Sequence, residues 1–217
     1  NLPTVVGGWT KAWGSQSFCQ EFSANVDELL RKVKIPHPDK VARMYPHELS
    51  GGMRQRVLIA MAIAQRPSLF VADELTTAVD VTTQAQILGL IRSLTREYGM
   101  SVLLITHDLG VVAAVGDCVS IMYAGRIVEE APTKQLFEKS LHPYTVGLMA
   151  SFPSGRKDSV TIKTIPGVVP QLGNYPTGCR FHPRCERAFG TCSACAPPLV
   201  NVSPSHKVAC FLHGGNT

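Results

Sequence analysis

Two acidic residues, Asp73 and Glu74, stand side by side after the apolar run Leu69-Phe70-Val71-Ala72. Adjacent carboxylates at a strand tip point in alternate directions, so they can serve different tasks. One can hold Mg²⁺ through water, because that ion keeps several waters and takes few carboxylates. The other can orient and deprotonate an attacking water. His107 follows a second apolar run, Val102 to Thr106, where a histidine can hydrogen-bond a phosphate oxygen or a polarised water. Ser50-Gly51-Gly52 opens a helical pattern: Ser50 suits the N-cap, and the glycines let a phosphate approach the backbone N–H groups. Taken singly, each has a plainer reading: solvated acids, a structural histidine, a helix cap.

A separate chemistry is written in the tail. Five of the seven cysteines fall between Cys179 and Cys210; Cys19 and Cys118 lie elsewhere. Cys179, Cys185, Cys192 and Cys210 supply four thiolates, the number that a [4Fe–4S] cluster or a structural Zn²⁺ requires. Their spacing, x5, x6 and x17, fits neither ferredoxin runs nor the usual zinc-finger pairs, so spacing leaves the metal open. Cys195 makes a Cys192-x2-Cys195 pair an alternative, and reduced structural cysteines are another. His206 is read first as structural.

The elements that must position these groups follow from periodicity. Residues 27–35 read as a short amphipathic helix broken by "PHPDK". The helix after Ser50 must stop at Pro67. "SLFVADEL" and "MSVLLITHD" read as short buried strands, separated by a helix of about five turns that ends at Gly99. After a further helix, "CVSIMYAGRIVEEA" reads as a β-hairpin turning at Ala124-Gly125, followed by two closing helices. Apolar strands alternating with helices argue for a parallel α/β sheet, whose chemistry gathers at the carboxyl ends of the strands. Past Phe152 proline and glycine rise and periodicity fades, so a boundary is expected there: 1–152 α/β, 153–217 Cys-rich.

Bulk properties exclude several classes. Hydrophobic content of 45% and charged content of 17% describe a globular chain. No apolar run approaches the roughly 18 residues of a membrane span, and the first residues carry no signal-peptide pattern. The net charge of +5 sits wholly after residue 153, where seven basic residues face two acids. A basic tail suits nucleic acid or an anionic surface, yet its few aromatics (Tyr175, Phe181, Phe189, Phe211) sit mostly near cysteines. A solvated face is therefore preferred, and nucleic acid is not expected.

The order of the motifs carries more than any one of them. "LSGGMRQR", "LFVADEL", "TTAVD" and "LLITHD" follow one another on helix start, strand end, loop and strand end. This resembles the ATP-binding subunits of ABC transporters. The continuation "MYAGRIVEEAPTKQLFEKSLHPYTVGLMAS" is similar to the dipeptide, oligopeptide and nickel importers among them. The resemblance spans roughly residues 27–213. It implies a partial ABC-type nucleotide-binding domain, with part of its helical signature subdomain, plus a small Cys-rich extension. Leu49 to Met53, with Ser50, Gly51 and Gly52, match the signature motif that contacts ATP held by the opposite subunit. Asp73 matches the aspartate supporting Mg²⁺, Glu74 the catalytic glutamate, Asp80 the D-loop aspartate and His107 the switch histidine. The four tail cysteines match extensions associated with an iron–sulfur cluster.

The resemblance also implies partners and place: a second ATPase subunit, membrane permease subunits, an extracytoplasmic substrate-binding protein indirectly, and the cytoplasmic face of the membrane. The family usually has proline where this chain has Leu75, and leucine where it has Val79. No G-x-x-x-x-G-K-[ST] occurs among the 217 residues, and 1–26 match no element of the family. The expectation is a fragment, with a non-hydrolysing subunit that lends its signature motif in trans as the alternative.

Overall fold

The computed structural model describes residues 25–75, 79–151 and 164–214. The chain divides by its contacts into two compact units, Asn1–His107 and Asp108–Thr217. The expectations placed on 1–24, the absent phosphate loop among them, lie outside the described residues.

In the first unit, helix α1 covers 25–32 and α2 covers Pro38–Val41, so the "PHPDK" break contains a further turn of helix. Helix α3 runs Gly51–Ile63, capped by Ser50. Strand β1 is Leu69–Asp73 and β2 is Ser101–Ile105. They pair in parallel, with Asp73 opposite Ile105. Between them α4 spans Val81–Tyr98 and ends where Gly99 turns left-handed at φ 63°. The core packs Leu30, Val33 and Ile35 beside α1 against Ile59 and Ile63 of α3, Phe70 and Ala72 of β1, and Ile87, Leu90 and Leu94 of α4. Arg56 ties three helical segments together, donating to the Val33 carbonyl and to Gln86.

The strands depart from expectation in one respect. Both read as wholly buried, but only one face is covered by described residues. Leu69, Val71, Leu103 and Ile105 are each about half exposed. Parallel strands carry apolar residues on both faces because helices usually cover both.

In the second unit, α5 spans Leu109–Val115, capped by Asp108. The expected hairpin forms from β3, Cys118–Tyr123, and β4, Arg126–Pro132. Ala124 and Gly125 both have positive φ, 47° and 78°, the backbone of a two-residue type I′ turn. Helices α6 (Thr133–Glu138) and α7 (Pro143–Ala150) follow. The tail adds α8 (Gly190–Ala194), β5 (Val200–Ser203) and β6 (His206–Val208).

The last two strands pair across the compositional change at residue 152. They join the hairpin in one antiparallel sheet of order β3-β4-β6-β5. Phe181 belongs to the same core as Val119, Ile121, Tyr123 and Leu136. The Cys-rich region therefore shares its core with residues before 152, and the compositional change there does not mark where the contacts divide.

A buried polar knot locks β6 to β4. Glu129 is fully buried and accepts from the N–H groups of Leu141 (2.7 Å) and His142 (2.9 Å). It also pairs with His206 Nε2 at 2.7 Å, while His206 Nδ1 meets the Gln135 side-chain amide. His206 is thus structural, as expected. Removing one partner of such a buried charge costs about 3 kcal/mol or more.

Candidate functional site

The first unit carries two places where expected site residues gather. At the carboxyl ends of β1 and β2, Glu74 and His107 approach side by side: Glu74 Oε1 lies 3.1 Å from His107 Nδ1. Both are exposed. The Glu74 N–H continues the ladder by donating to the Ile105 carbonyl at 2.9 Å, which fixes the two strand ends against each other. Glu74 itself turns left-handed at φ 46°, a conformation costing a non-glycine residue about 1 kcal/mol. A proline at 75 would push residue 74 toward extended backbone, so Leu75 is compatible with this turn. The arrangement puts a carboxylate and an imidazole in direct contact, with both open to solvent.

The second place is the start of α3. The Ser50 hydroxyl accepts the Met53 N–H at 3.3 Å, the cap read from sequence. Gly52 lies against α4, where a Cβ would come within 2.8 Å of Thr83 Cγ2. Asp80 caps α4, accepting from the Thr83 N–H (2.9 Å) and the Thr83 hydroxyl (2.7 Å). Those bonds, the hydroxyl's first, hold the Asp80 carboxyl below its ordinary pKa. Gly52 and Asp80 therefore meet through Thr83, which the sequence reading did not single out.

In the second unit Cys179, Cys185, Cys192 and Cys210 line one cavity with His142, Phe181 and Phe211. Gly178 makes the convergence possible. It sits at φ 67°, and a Cβ there would collide with the Cys192 carbonyl, to which Cys179 N–H donates at 2.8 Å. Arg184 ties the loop down through the carbonyls of Ile165 and Pro166 and the Tyr123 hydroxyl. Arg180 stacks on Tyr175 and donates to the Ala124 carbonyl. Two of the tail's basic residues are thereby committed to its own structure.

Burial pushes the thiol pKa of Cys179, Cys185 and Cys210 above the ordinary value, and their thiol neighbours reinforce this. Cys195 is exposed and does not line the cavity. Among the described residues, no group of three His, Cys, Asp or Glu side chains is arranged so that it could hold a metal ion. The four thiols share a cavity without forming a closed ligand set.

The comparisons with known proteins bear on both units. Residues 5–77 match the family model described as ABC transporter, and residues 128–192 match the one described as oligopeptide/dipeptide transporter, C-terminal region. The first match includes residues that the sequence reading left unassigned. A Brucella ovis protein, named as a candidate peptide import ATP-binding protein, is 51% identical over 192 residues, covering 86% of this chain and 57% of that one. The oligopeptide transport ATP-binding protein OppD of Escherichia coli is 47% identical, covering 91% of this chain and 58% of its own length. The chain thus spans somewhat over half the length of these relatives. Among solved structures, an ATP-binding cassette of an ABC transporter in its ADP conformation aligns with a TM-score of 0.50 and 25% identity. That alignment covers 58% of this chain and 48% of the other.

Proposed function

The chain belongs to the ABC-transporter ATP-binding proteins that carry the oligopeptide/dipeptide C-terminal region, and on that premise we propose that it contributes to an ATP-hydrolysing site powering peptide import. The observation that carries the reading is the pairing of Glu74 with His107 across the tips of two parallel strands. In this reading Glu74 orients and deprotonates the attacking water, and His107 holds it against the terminal phosphate. Asp73, the exposed last residue of β1, fits a water-mediated ligand of Mg²⁺, which when bound neutralises phosphate charge. Ser50, Gly51 and Gly52 face ATP held by a second ATPase subunit, with Asp80 beside them. The assembly docks on permease subunits at the cytoplasmic face of the membrane, and an extracytoplasmic binding protein delivers the peptide.

Measuring ATP turnover and peptide uptake by the complete importer in vesicles tests this. Glu74→Gln should retain ATP binding and lose turnover by about 10²-fold or more. Turnover that survives Glu74→Gln would refute the catalytic assignment. Uptake of nickel without peptide would replace the substrate. A second reading, a subunit that does not hydrolyse, draws on the left-handed Glu74 and on Leu75. It expects Glu74→Gln to be silent while Gly51→Asp abolishes turnover at the partner's site.

We read the cysteine cavity as the site of a [4Fe–4S] cluster, with Zn²⁺ as the alternative. Support comes from the four thiols converging between aromatic walls. Cys179, Cys185, Cys192 and Cys210 would hold the group, which when bound supplies a redox-active or stapling centre. Anaerobic purification with metal and sulfide analysis decides: iron with sulfide supports the cluster, and zinc without iron replaces it.

A further inference from the structure

Two consecutive glycines at the start of α3 rest against the start of α4. A Cβ on Gly51 would come 4.0 Å from Val79 Cγ1, and one on Gly52 would come 2.8 Å from Thr83 Cγ2. Between those contacts in sequence stands Asp80, the N-cap of α4. One residue occupies both of its carboxylate oxygens. Oδ1 accepts the Thr83 N–H at 2.9 Å, and Oδ2 accepts the Thr83 hydroxyl at 2.7 Å.

The two bonds do different things. The first is a helix cap, which serine or asparagine would make as well. The second fixes a rotamer. Threonine in a helix divides between two χ1 values, whereas valine keeps one, because the hydroxyl has alternative partners in the preceding turn. Bonding to Oδ2 selects one of the two, and the chirality of Cβ then places the methyl. That methyl is Cγ2, the atom against Gly52. The place of one carboxylate oxygen on α4 is thereby converted into a contact on α3. Asp80 is exposed, so a donor arriving from outside the chain can compete with the hydroxyl for Oδ2.

We propose that Thr83 is a positioning residue through which the Asp80 carboxylate sets the placement of Gly52. With the hydroxyl on Oδ2, Cγ2 supports the start of α3. With Oδ2 engaged elsewhere, the rotamer is released and the support is withdrawn. In the reading where Gly52 faces ATP held by a second subunit, on which this rests, contact at Asp80 thus adjusts that glycine.

Three substitutions separate the parts. Asp80→Ser keeps an oxygen for the Thr83 N–H, so α4 stays capped, but leaves nothing at Oδ2. Thr83→Val removes the hydroxyl and keeps a methyl in the place of Cγ2, whereas Thr83→Ser does the reverse. In the 217-residue chain, the Gly52 amide resonance should move on Asp80→Ser and stay in place when Asp80→Ser is added to Thr83→Val. No movement in the wild-type background overturns the relay, and so does equal movement in both backgrounds. In the complete importer, Thr83→Ser should lower kcat about tenfold, because a small misplacement slows a positioned reaction steeply. The KM for ATP should stay within about twofold, and Thr83→Val should lose less turnover than Thr83→Ser. Unchanged kcat in Thr83→Ser, with Glu74→Gln inactive, would overturn the role in turnover, as would a larger loss in Thr83→Val. Turnover that survives Glu74→Gln defeats the catalytic reading instead, and the Gly52 resonance then decides the relay alone.

Discussion

Gly52 illustrates how one missing side chain serves two purposes. In the signature-motif reading it lets phosphate approach the helix start, but in this fold it first lets α3 approach α4. Replacing it by alanine gains up to about 1 kcal/mol of helix propensity. It also forces a methyl to within 2.8 Å of Thr83 Cγ2, and overpacking of that kind costs roughly 1–3 kcal/mol. The clash wins. We expect Gly52→Ala to destabilise the chain by about 1 kcal/mol in denaturant unfolding. Thr83→Ser in that background should recover most of the loss, because it deletes Cγ2 and keeps the hydroxyl bonded to Asp80. No recovery would mean that the loss arises elsewhere.

Between elements, the join of β4 to β6 is short: its paired residues are Glu129 with Val208 and Glu130 with Lys207. The Lys207 ammonium sits 2.7 Å from Glu130 and, with a smaller contribution from Ser120, holds the Glu130 carboxyl below its ordinary value. A carboxyl depressed in the folded chain contributes stability that is full above its unfolded pKa. That stability fades as pH falls through the folded value. Lys207→Met should therefore lower stability at pH 7 and flatten the loss of stability below pH 4.5. Unfolding midpoints across pH 3 to 7 check this, and an unchanged acid slope in the variant would count against it.

At the scale of the molecule, the strand tips and the start of α3 belong to the first unit, and the cysteine cavity belongs to the second. The catalytic reading supplies a water-activating pair but no G-x-x-x-x-G-K-[ST] to cradle phosphates. The 217-residue chain by itself should therefore show no useful ATP turnover. Phosphate release that disappears on Glu74→Gln, in material free of other ATPases, would refute that expectation.

The sequence by itself determined whatever is decided within a few consecutive residues. Ser50 as a cap, a strand end at Asp73 and another just before His107, the stop at Gly99 and the turn at Ala124-Gly125 were all legible. Each depends on local backbone geometry or on periodicity along one element. Only the tertiary structure decided what depends on residues far apart in sequence. Glu129 is paired with His206, Gly52 is pressed on Thr83, and His142 meets cysteines that begin 37 positions later. Strands of four and three residues, β5 and β6, are too short to show a period, so their union with the hairpin was hidden. The compositional change after Phe152 carries no trace of that pairing. Composition records how a segment looks to solvent, whereas a domain is set by which surfaces are buried together.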